Sequence, residues 1–263
     1  MRIICPVKRV PDTAAEKRIN EADWTVDRDA SDPILNANDE WGIEEAMRIK
    51  ERVEGTEVIA LCMGPESAQQ TIRKALSYGL DGAIQVTDDA VAGSDAAATA
   101  RVLAAALAGE AYDLIIMGNQ SSDARTTLVP AMLAELLDLP ALTFVKHLEV
   151  DGERLLAHRE TASGHVAVET SAPAVVSVVE AINEPRYPSF KGIMAAKKKP
   201  LEVKDLAALG VDPATVGHAG SATQVLEVTS RPPRQAGAKV EDDGSGQLGA
   251  TAIADWLAEQ KLL

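Results

Sequence analysis

Two stretches of the chain hold residues whose types and spacing suit ligand chemistry. The first is Gly118-Asn119-Gln120-Ser121-Ser122-Asp123, directly after the apolar run Leu114 to Met117. A glycine at the end of a buried strand lets a ligand approach the backbone, and a following helix offers free N–H groups to a phosphate. Ser121 and Ser122 add hydroxyl donors. Gly64-Pro65-Glu66-Ser67 repeats the arrangement after Val58 to Met63. Ligands of open parallel sheets bind outside the carboxyl ends of the strands, so both turns point to a nucleotide. Strand–Gly–helix turns are also common as plain connections, and neither G-x-G-x-x-G nor a P-loop is present.

The second stretch runs from Asn183-Glu184-Pro185-Arg186-Tyr187-Pro188 to Lys197-Lys198-Lys199 and holds two of the chain's eight aromatic residues. Its prolines favour an extended lead-in and Ser189 suits a helix N-cap. Phe190, Ile193, Met194 and Lys197 then fall at i, i+3, i+4 and i+7 on one face. Two readings stay open. Either the apolar face is core and the lysines are a solvated edge, or a Met-containing patch beside positive charge is exposed to recognise several acidic partners.

Catalytic constellations are absent. His147, His158, His165 and His218 lack the i, i+4 spacing of a zinc helix, and three of them sit on predicted strands where solvent-facing side chains are expected. No serine is framed as G-x-S-x-G, and Gly164-His165 has no nucleophile beside it. Cys5 and Cys62 lie in predicted buried strands without metal or C-x-x-C spacing, so they read as core thiols. No enzyme activity and no metal are expected of the chain itself.

The elements that must position these residues follow from periodicity. A chain of 263 residues, 46% hydrophobic and 25% charged, buries one sizeable core. A net charge of −14 argues against nucleic acid, which demands clustered Lys and Arg. No segment reaches the roughly 20 apolar residues of a membrane span. Met1 to Val7 reads as a strand rather than a signal peptide, which places the protein in the cytoplasm. Strands are expected at Ile3–Val7, Val58–Met63, Ala83–Val86 and Leu114–Met117. Helices are expected at Asn38–Val53, Pro65–Tyr78, Ser94–Leu107 and about Thr126–Leu137, with Asp39 and Ser94 as caps. This alternation predicts an α/β fold with a Rossmann-like parallel sheet flanked by helices. Phe144–Val150, the turn Asp151-Gly152 and Arg154–Glu160 read as an antiparallel hairpin, joined by His165–Glu169, and Ala174–Val179 as a buried strand. After about Glu202 periodicity fades. Arg231-Pro232-Pro233-Arg234 and the acidic run Glu241 to Gly246 read as an extended arm, ending in an amphipathic helix over Thr251–Leu262. The expected division is a main domain over 1–220, with the loop 183–199, and an arm over 221–263. On fold alone, the first 140 residues would also suit a stand-alone adenine-nucleotide-binding enzyme or a stress-type ATP-binding module.

The stretch Asn183-Glu184-Pro185-Arg186-Tyr187-Pro188 through Ile193-Met194 and Lys197-Lys198-Lys199 resembles the signature of electron-transfer flavoprotein β subunits. Further blocks share the likeness along essentially the whole chain. They are Val7-Lys8-Arg9-Val10-Pro11-Asp12, Asn36 with Glu44-Glu45-Ala46, Gly64-Pro65, Ile72-Arg73-Lys74-Ala75-Leu76, and the Gly118 loop through Leu139-Pro140. The resemblance implies a fold of the adenine-nucleotide α-hydrolase type and a heterodimer whose α subunit binds most of the FAD. The β subunit packs beside the isoalloxazine ring and buries an AMP, replaced by a second FAD in flavin-bifurcating relatives. The positions so implied are Pro6, Asn36, Ala37, Asn38, Asp39, Met63, Gly118, Asn119, Gln120, Ser121, Ser122, Asp123, Arg125, Thr126, Thr127 and Val129. The family's partner-recognition loop corresponds to Tyr187, Phe190, Lys191, Ile193, Met194, Lys197, Lys198 and Lys199, with Phe190 as anchor. The implied role is electron carriage from acyl-CoA and other flavin dehydrogenases to a quinone reductase, with the arm packed on the α subunit. Ala124, Arg125 and Leu128 depart from the acidic and amide residues of AMP-binding members, so Arg125 is placed to meet a phosphate directly. Thr13 is a small hydroxyl where some relatives carry an aromatic near the flavin.

Overall fold

Alternating apolar runs and amphipathic helices fold here as a doubly wound sheet, in a computed structural model that describes residues 1–229, 232 and 237–262. Strand β1 (Arg2–Pro6) leads into β2 (Arg9–Pro11), then a small hairpin of β3 (Arg18–Ile19) and β4 (Val26–Asp27), then β5 (Pro33–Leu35), which pairs antiparallel with β2. Next come α1 (Ala37–Arg52), β6 (Glu57–Met63), α2 (Gln69–Leu76), β7 (Gly82–Val86), α3 (Ala96–Leu107) and β8 (Leu114–Gly118). Helix α4 (Val129–Leu136) precedes β9 (Ala141–Asp151), β10 (Arg154–Thr161), β11 (Gly164–Ser171) and β12 (Ala174–Val178). The remainder holds α5 (Phe190–Ala196), β13 (Leu201–Lys204), the short α6 (Gly217–Gly220) and α7 (Gln247–Glu259).

Nine strands form one sheet in the order β11-β10-β9-β12-β8-β1-β6-β7-β13. From β1 the chain winds outward through β6 and β7, then returns to place β8 on the other side of β1, where both pairings are parallel. The order therefore reverses between β1 and β8, the point beyond whose carboxyl ends ligands of such sheets bind. Side chains alternate across the sheet with period two. Ile3 and Cys5 pack with Ile43 and Ile49 of α1 and Ile72 of α2, while Ile4 packs with Val102 and Leu107 of α3 and Leu133 of α4. Each such buried side chain contributes about 1.5–3 kcal/mol. The expected α/β fold with its antiparallel hairpin is present.

Several local expectations need correction. Asn36 occupies the N-cap position of α1, without a side-chain cap bond, and Asp39 is instead buried in the first turn. Helix α3 starts on Asp95, whose carboxylate accepts from Ala98 N at 2.9 Å, not on Ser94. The hairpin turn is Gly152-Glu153, with Gly152 at φ +59, because Asp151 still pairs with Arg154. Strand β9 begins at Ala141 since its first residues pair parallel with β12, and Phe144 at φ +57 accompanies the local irregularity. Helix α4 cannot start at Thr126, because Arg125 (φ +52) and Thr127 (φ +58) are left-handed. The loss of periodicity after Glu202 hides ordered structure: β13 pairs with β7, and Leu206 and Val216 are buried.

The chain divides into two compact units, Met1–Leu226 and Glu227–Leu263. Arg231, Pro233 and Arg234 of the expected arm lie outside the described residues. Within the second unit Asp242 accepts from Gly244 N and Gly246 N ahead of α7 and from Gly249 N in its first turn, and Leu248, Ile253 and Trp256 of α7 are exposed. Among the described residues no helix is long and apolar enough to cross a membrane.

Candidate functional site

Asn36 organises the joint at the β1 and β8 strand ends. Its Nδ2 donates to Asp39 Oδ1 (2.9 Å) and Gln120 O (3.0 Å), and its Oδ1 accepts from Ser122 N (3.0 Å). Asn38 Nδ2 donates to Asn119 Oδ1 at 2.8 Å. The first turn of α1 and the loop after β8 are thereby joined by side chains that the sequence places eighty residues apart, roughly the reach of one parallel crossover and its neighbours. Asn36 is almost wholly buried, so each of these bonds spares a polar group an unsatisfied interior position.

Charge reinforces the joint. The Asp123 side chain is fully buried and accepts from Lys8 Nζ (2.9 Å) and from Arg28 Nε (2.7 Å), while Lys8 Nζ also donates to Ser121 Oγ (3.2 Å). Burial alone would raise the Asp123 carboxyl, but the Lys8 and Arg28 charges outweigh it and hold the group well below the usual range. Burial lowers the Lys8 ammonium, against the pull of Asp123. Asp39 behaves oppositely. Its Oδ2 accepts from Lys8 N at 2.8 Å, yet burial dominates and pushes its carboxyl up to about 7.

Glycine 118 does different work from the one expected. A Cβ there would lie 2.6 Å from Asn38 C, so the bare backbone admits α1, not a ligand. Gly42 faces the same contact from the helix, where a Cβ would lie 3.2 Å from Met117 Cα. The structure brings Asn36, Asn38, Asp39, Gly118, Asn119, Gln120, Ser121, Ser122 and Asp123 together through this joint. Pro6 is buried at the end of β1, and Met63 ends β6 on the far side of β1 from β8. Ala37, Arg125 and Thr126 are exposed, while Thr127 and Val129 are half-buried. A β-branched residue in the left-handed region is uncommon, and Thr127 marks the loop as held against its local preference. The Ser122 hydroxyl is buried without a partner. The Gly64 turn stands apart: Pro65 O accepts from the buried Gln85 Nε2 at 2.8 Å.

Sequence reasoning missed Lys8, Lys17 and Arg28. Lys8 lies two residues past the end of β1, and applying the strand-end rule to every strand, not only to glycine turns, would have found it. Lys17 and Arg28 flank the β3–β4 hairpin and carried no signal.

The second stretch is exposed, not core. Tyr187 and Phe190 are 96% and 81% exposed, and Ile193 and Met194 are 47% and 49%. Exposure does not mean looseness. Arg186 Nε donates to Glu44 Oε2 at 2.7 Å and its Nη1 to Glu51, and Asn183 Nδ2 donates to Trp41 O at 3.1 Å. At the other end Arg73 Nη1 donates to Ala196 O (2.8 Å) and Lys199 O (2.7 Å). Ser189 Oγ caps α5 by accepting from Gly192 N at 3.0 Å, and Gly192 lies against Ser77 O with no room for a Cβ. Lys191, Lys197 and Lys198 are exposed, whereas Lys199 Nζ turns back to Asp81 at 3.7 Å.

The remaining reactive side chains are inert in place. Cys5 and Cys62 are buried and free, and burial first, then the Asp39 charge, pushes the Cys62 thiol up to about 12. His147, His158 and His165 line up across β9, β10 and β11 with ring centroids 5.3 Å (tilted) and 5.4 Å (stacked) apart, and no three ligands among the described residues converge on a metal position.

Known proteins share this sequence along its length. The model of the electron transfer flavoprotein domain matches residues 23–209. A protein named electron transfer flavoprotein subunit beta from Mycobacterium tuberculosis is 43% identical over 267 residues, 99% of each chain. One of the same name from Megasphaera elsdenii is 33% identical over the full length of both. The caffeyl-CoA reductase-Etf complex subunit CarD of Acetobacterium woodii is 34% identical over 97% of each.

Proposed function

The chain belongs to the electron transfer flavoprotein family as a β-type subunit, and from that premise we propose that it works in a cytoplasmic heterodimer with an α subunit. In this reading the complex takes electrons from flavin dehydrogenases, acyl-CoA dehydrogenases among them, and passes them to a quinone reductase. The observation that carries it is the exposed set Tyr187, Phe190, Ile193 and Met194 on a segment pinned at both ends. A hydrophobic anchor that is already ordered loses little freedom on docking. Lys191, Lys197 and Lys198 surround it in a chain of net charge −14, and they steer acidic surfaces to the anchor.

FAD, held mainly by the α subunit, supplies the redox chemistry when bound. The residues here hold and orient. Asn36 and Asn38 fix the loop after β8, and Lys8, Asp123 and Arg28 lock it from below. A second nucleotide, AMP or a second FAD, fits the same loop: the unpartnered Ser122 hydroxyl is a donor in need of an acceptor, and the first turn of α4 has no side-chain cap. The tests are direct. Co-expressed with an α subunit the protein is expected as a yellow complex, and alone as a colourless chain. A colourless chain that hydrolyses ATP alone would overturn the reading. Phe190→Ala should slow transfer from dehydrogenases by about thirtyfold, the size of an interface hot spot, with flavin content unchanged. Unchanged transfer rates would remove the anchor role.

A further inference from the structure

Methionine is an apolar side chain that a mild oxidant turns polar, so its exposure decides whether oxidation harms a core or alters a surface. The chain has six methionines. Met47 and Met117 are buried, and Met1, Met63 and Met132 are half-buried. Of the six, Met194 alone is exposed, at 49%, and it stands on the apolar face of α5.

The fold keeps that sulfur outward. Ala196 is the buried residue of α5, Gly192 lies against Ser77 O, and Arg73 and Arg186 pin the segment at its two ends, so the helix is fixed in this orientation. Met194 follows Phe190 by four residues, which makes the two neighbours on the helix surface. An oxygen added to the sulfur stands beside the anchor ring, in the area that docking strips of water. The other sulfur groups do not compete. Cys5 and Cys62 are buried, and burial pushes the Cys62 thiol up to about 12, so an oxidant meets no thiolate there. A sulfoxide at Met47 or Met117 would put an oxygen into the core, whereas one at Met194 leaves the core untouched.

We propose that Met194 is a reversible oxidation site through which hydrogen peroxide switches off partner docking. The inference rests on the docking reading above and adds a control to that face. The thioether sulfur gives an electron pair to one peroxide oxygen, and the S–O bond forms as the O–O bond breaks. The departing hydroxide takes the proton left on the sulfur-bound oxygen and leaves as water. The sulfur is oxidised by two electrons and the peroxide reduced by two. A methionine sulfoxide reductase reverses the step with a dithiol as electron donor.

The test uses the purified αβ complex, an acyl-CoA dehydrogenase as electron donor and limiting hydrogen peroxide as oxidant. Peptide mass spectrometry should find sulfoxide at Met194 ahead of every other methionine of this chain, and bound dehydrogenase should protect it. Transfer from the dehydrogenase should fall about ten- to a hundredfold once Met194 is oxidised, the size of carrying one unpaired polar group into an apolar contact. It should return on treatment with methionine sulfoxide reductase, with flavin content unchanged throughout. Met194→Leu, compared with its own untreated rate, should lose nothing to the same dose of peroxide. Oxidation of Met63 or Met132 before Met194, full transfer by the Met194 sulfoxide, or an equal loss in Met194→Leu would overturn the inference alone. Phe190→Ala transferring as fast as the parent would remove it together with the docking reading.

Discussion

Replacing Gly118 with alanine tests whether the site is built on helix packing or on ligand access. The backbone at 118 is outside the left-handed region, so alanine is allowed by conformation, and any cost must come from contact. The new Cβ would sit 2.6 Å from Asn38 C and 2.7 Å from Asn38 O, about 0.8 Å inside ordinary contact. Those atoms are helix backbone and cannot rotate away. Helix α1 would have to shift as a body, and the Gly42 contact on Met117 shows that it has already approached as closely as glycine permits. Overpacking of this kind costs about 1–3 kcal/mol, and a clash with backbone on both sides belongs at the upper end. For a unit of this size that lowers the melting midpoint by roughly 4–12 °C. The assay is thermal unfolding by circular dichroism, with Gly109→Ala as control because nothing lies within 4 Å of its Cβ position. A Gly118→Ala midpoint within a degree of the parent would refute the packing argument and restore the glycine to ligand access.

Other outcomes follow from particular side chains. Asp39 is raised to about 7 by burial, so the fold favours its neutral form. That contribution is greatest below the unfolded value near ~4 and is lost as pH rises through 7. Relative to Asp39→Asn, the parent should therefore lose up to roughly 4 kcal/mol between about pH 4 and 8, and a pH-independent difference in urea midpoints would refute this. Arg186→Leu strips the buried Glu44 of a charged partner and should cost about 1–3 kcal/mol at neutral pH. Burial raises the Glu44 carboxyl but Arg186 bonding outweighs it, so this loss should shrink as pH falls below the ordinary carboxylate range. Amide exchange across 183–199 should rise in the same variant, and unchanged protection would show that the pin is idle. Truncation after Leu226 should leave the first unit's midpoint within about 2 °C while abolishing co-purification with the α subunit, and a retained complex would free the arm of that role.

The parallel core was legible because its signals are long and local. Val58 to Met63 and Leu114 to Met117 are apolar without interruption, and α1 and α3 keep a helical period over three or more turns. Strand β13 was not legible: Leu201-Glu202-Val203-Lys204 is four residues at a sheet edge with half its side chains charged, and it is a strand only because β7 offers an open edge. The site was half legible. Ser121, Ser122 and Asp123 announced themselves by following a strand, but Lys17 and Arg28 reach the loop across about a hundred residues from a hairpin with no periodic pattern. Composition also left the 183–199 face undecided between core and surface. The segment is held by long-range pairs that its composition does not show, its own Arg186 with Glu44 and Arg73 with the carbonyls of Ala196 and Lys199.

Helix α1 joins the two loci. Its start bonds the loop after β8 through Asn36 and Asn38, and six residues beyond Asn38, about 9 Å along its axis, Glu44 holds Arg186. A helix is stiff in length, so it acts as a connecting rod. A displacement imposed at one end is therefore expected to reach the other through the helix rather than through loops. Changes made at the loop end should consequently be read out in how the apolar face of 187–194 is presented, and a variant assayed only at the loop would have been examined at one end of the rod.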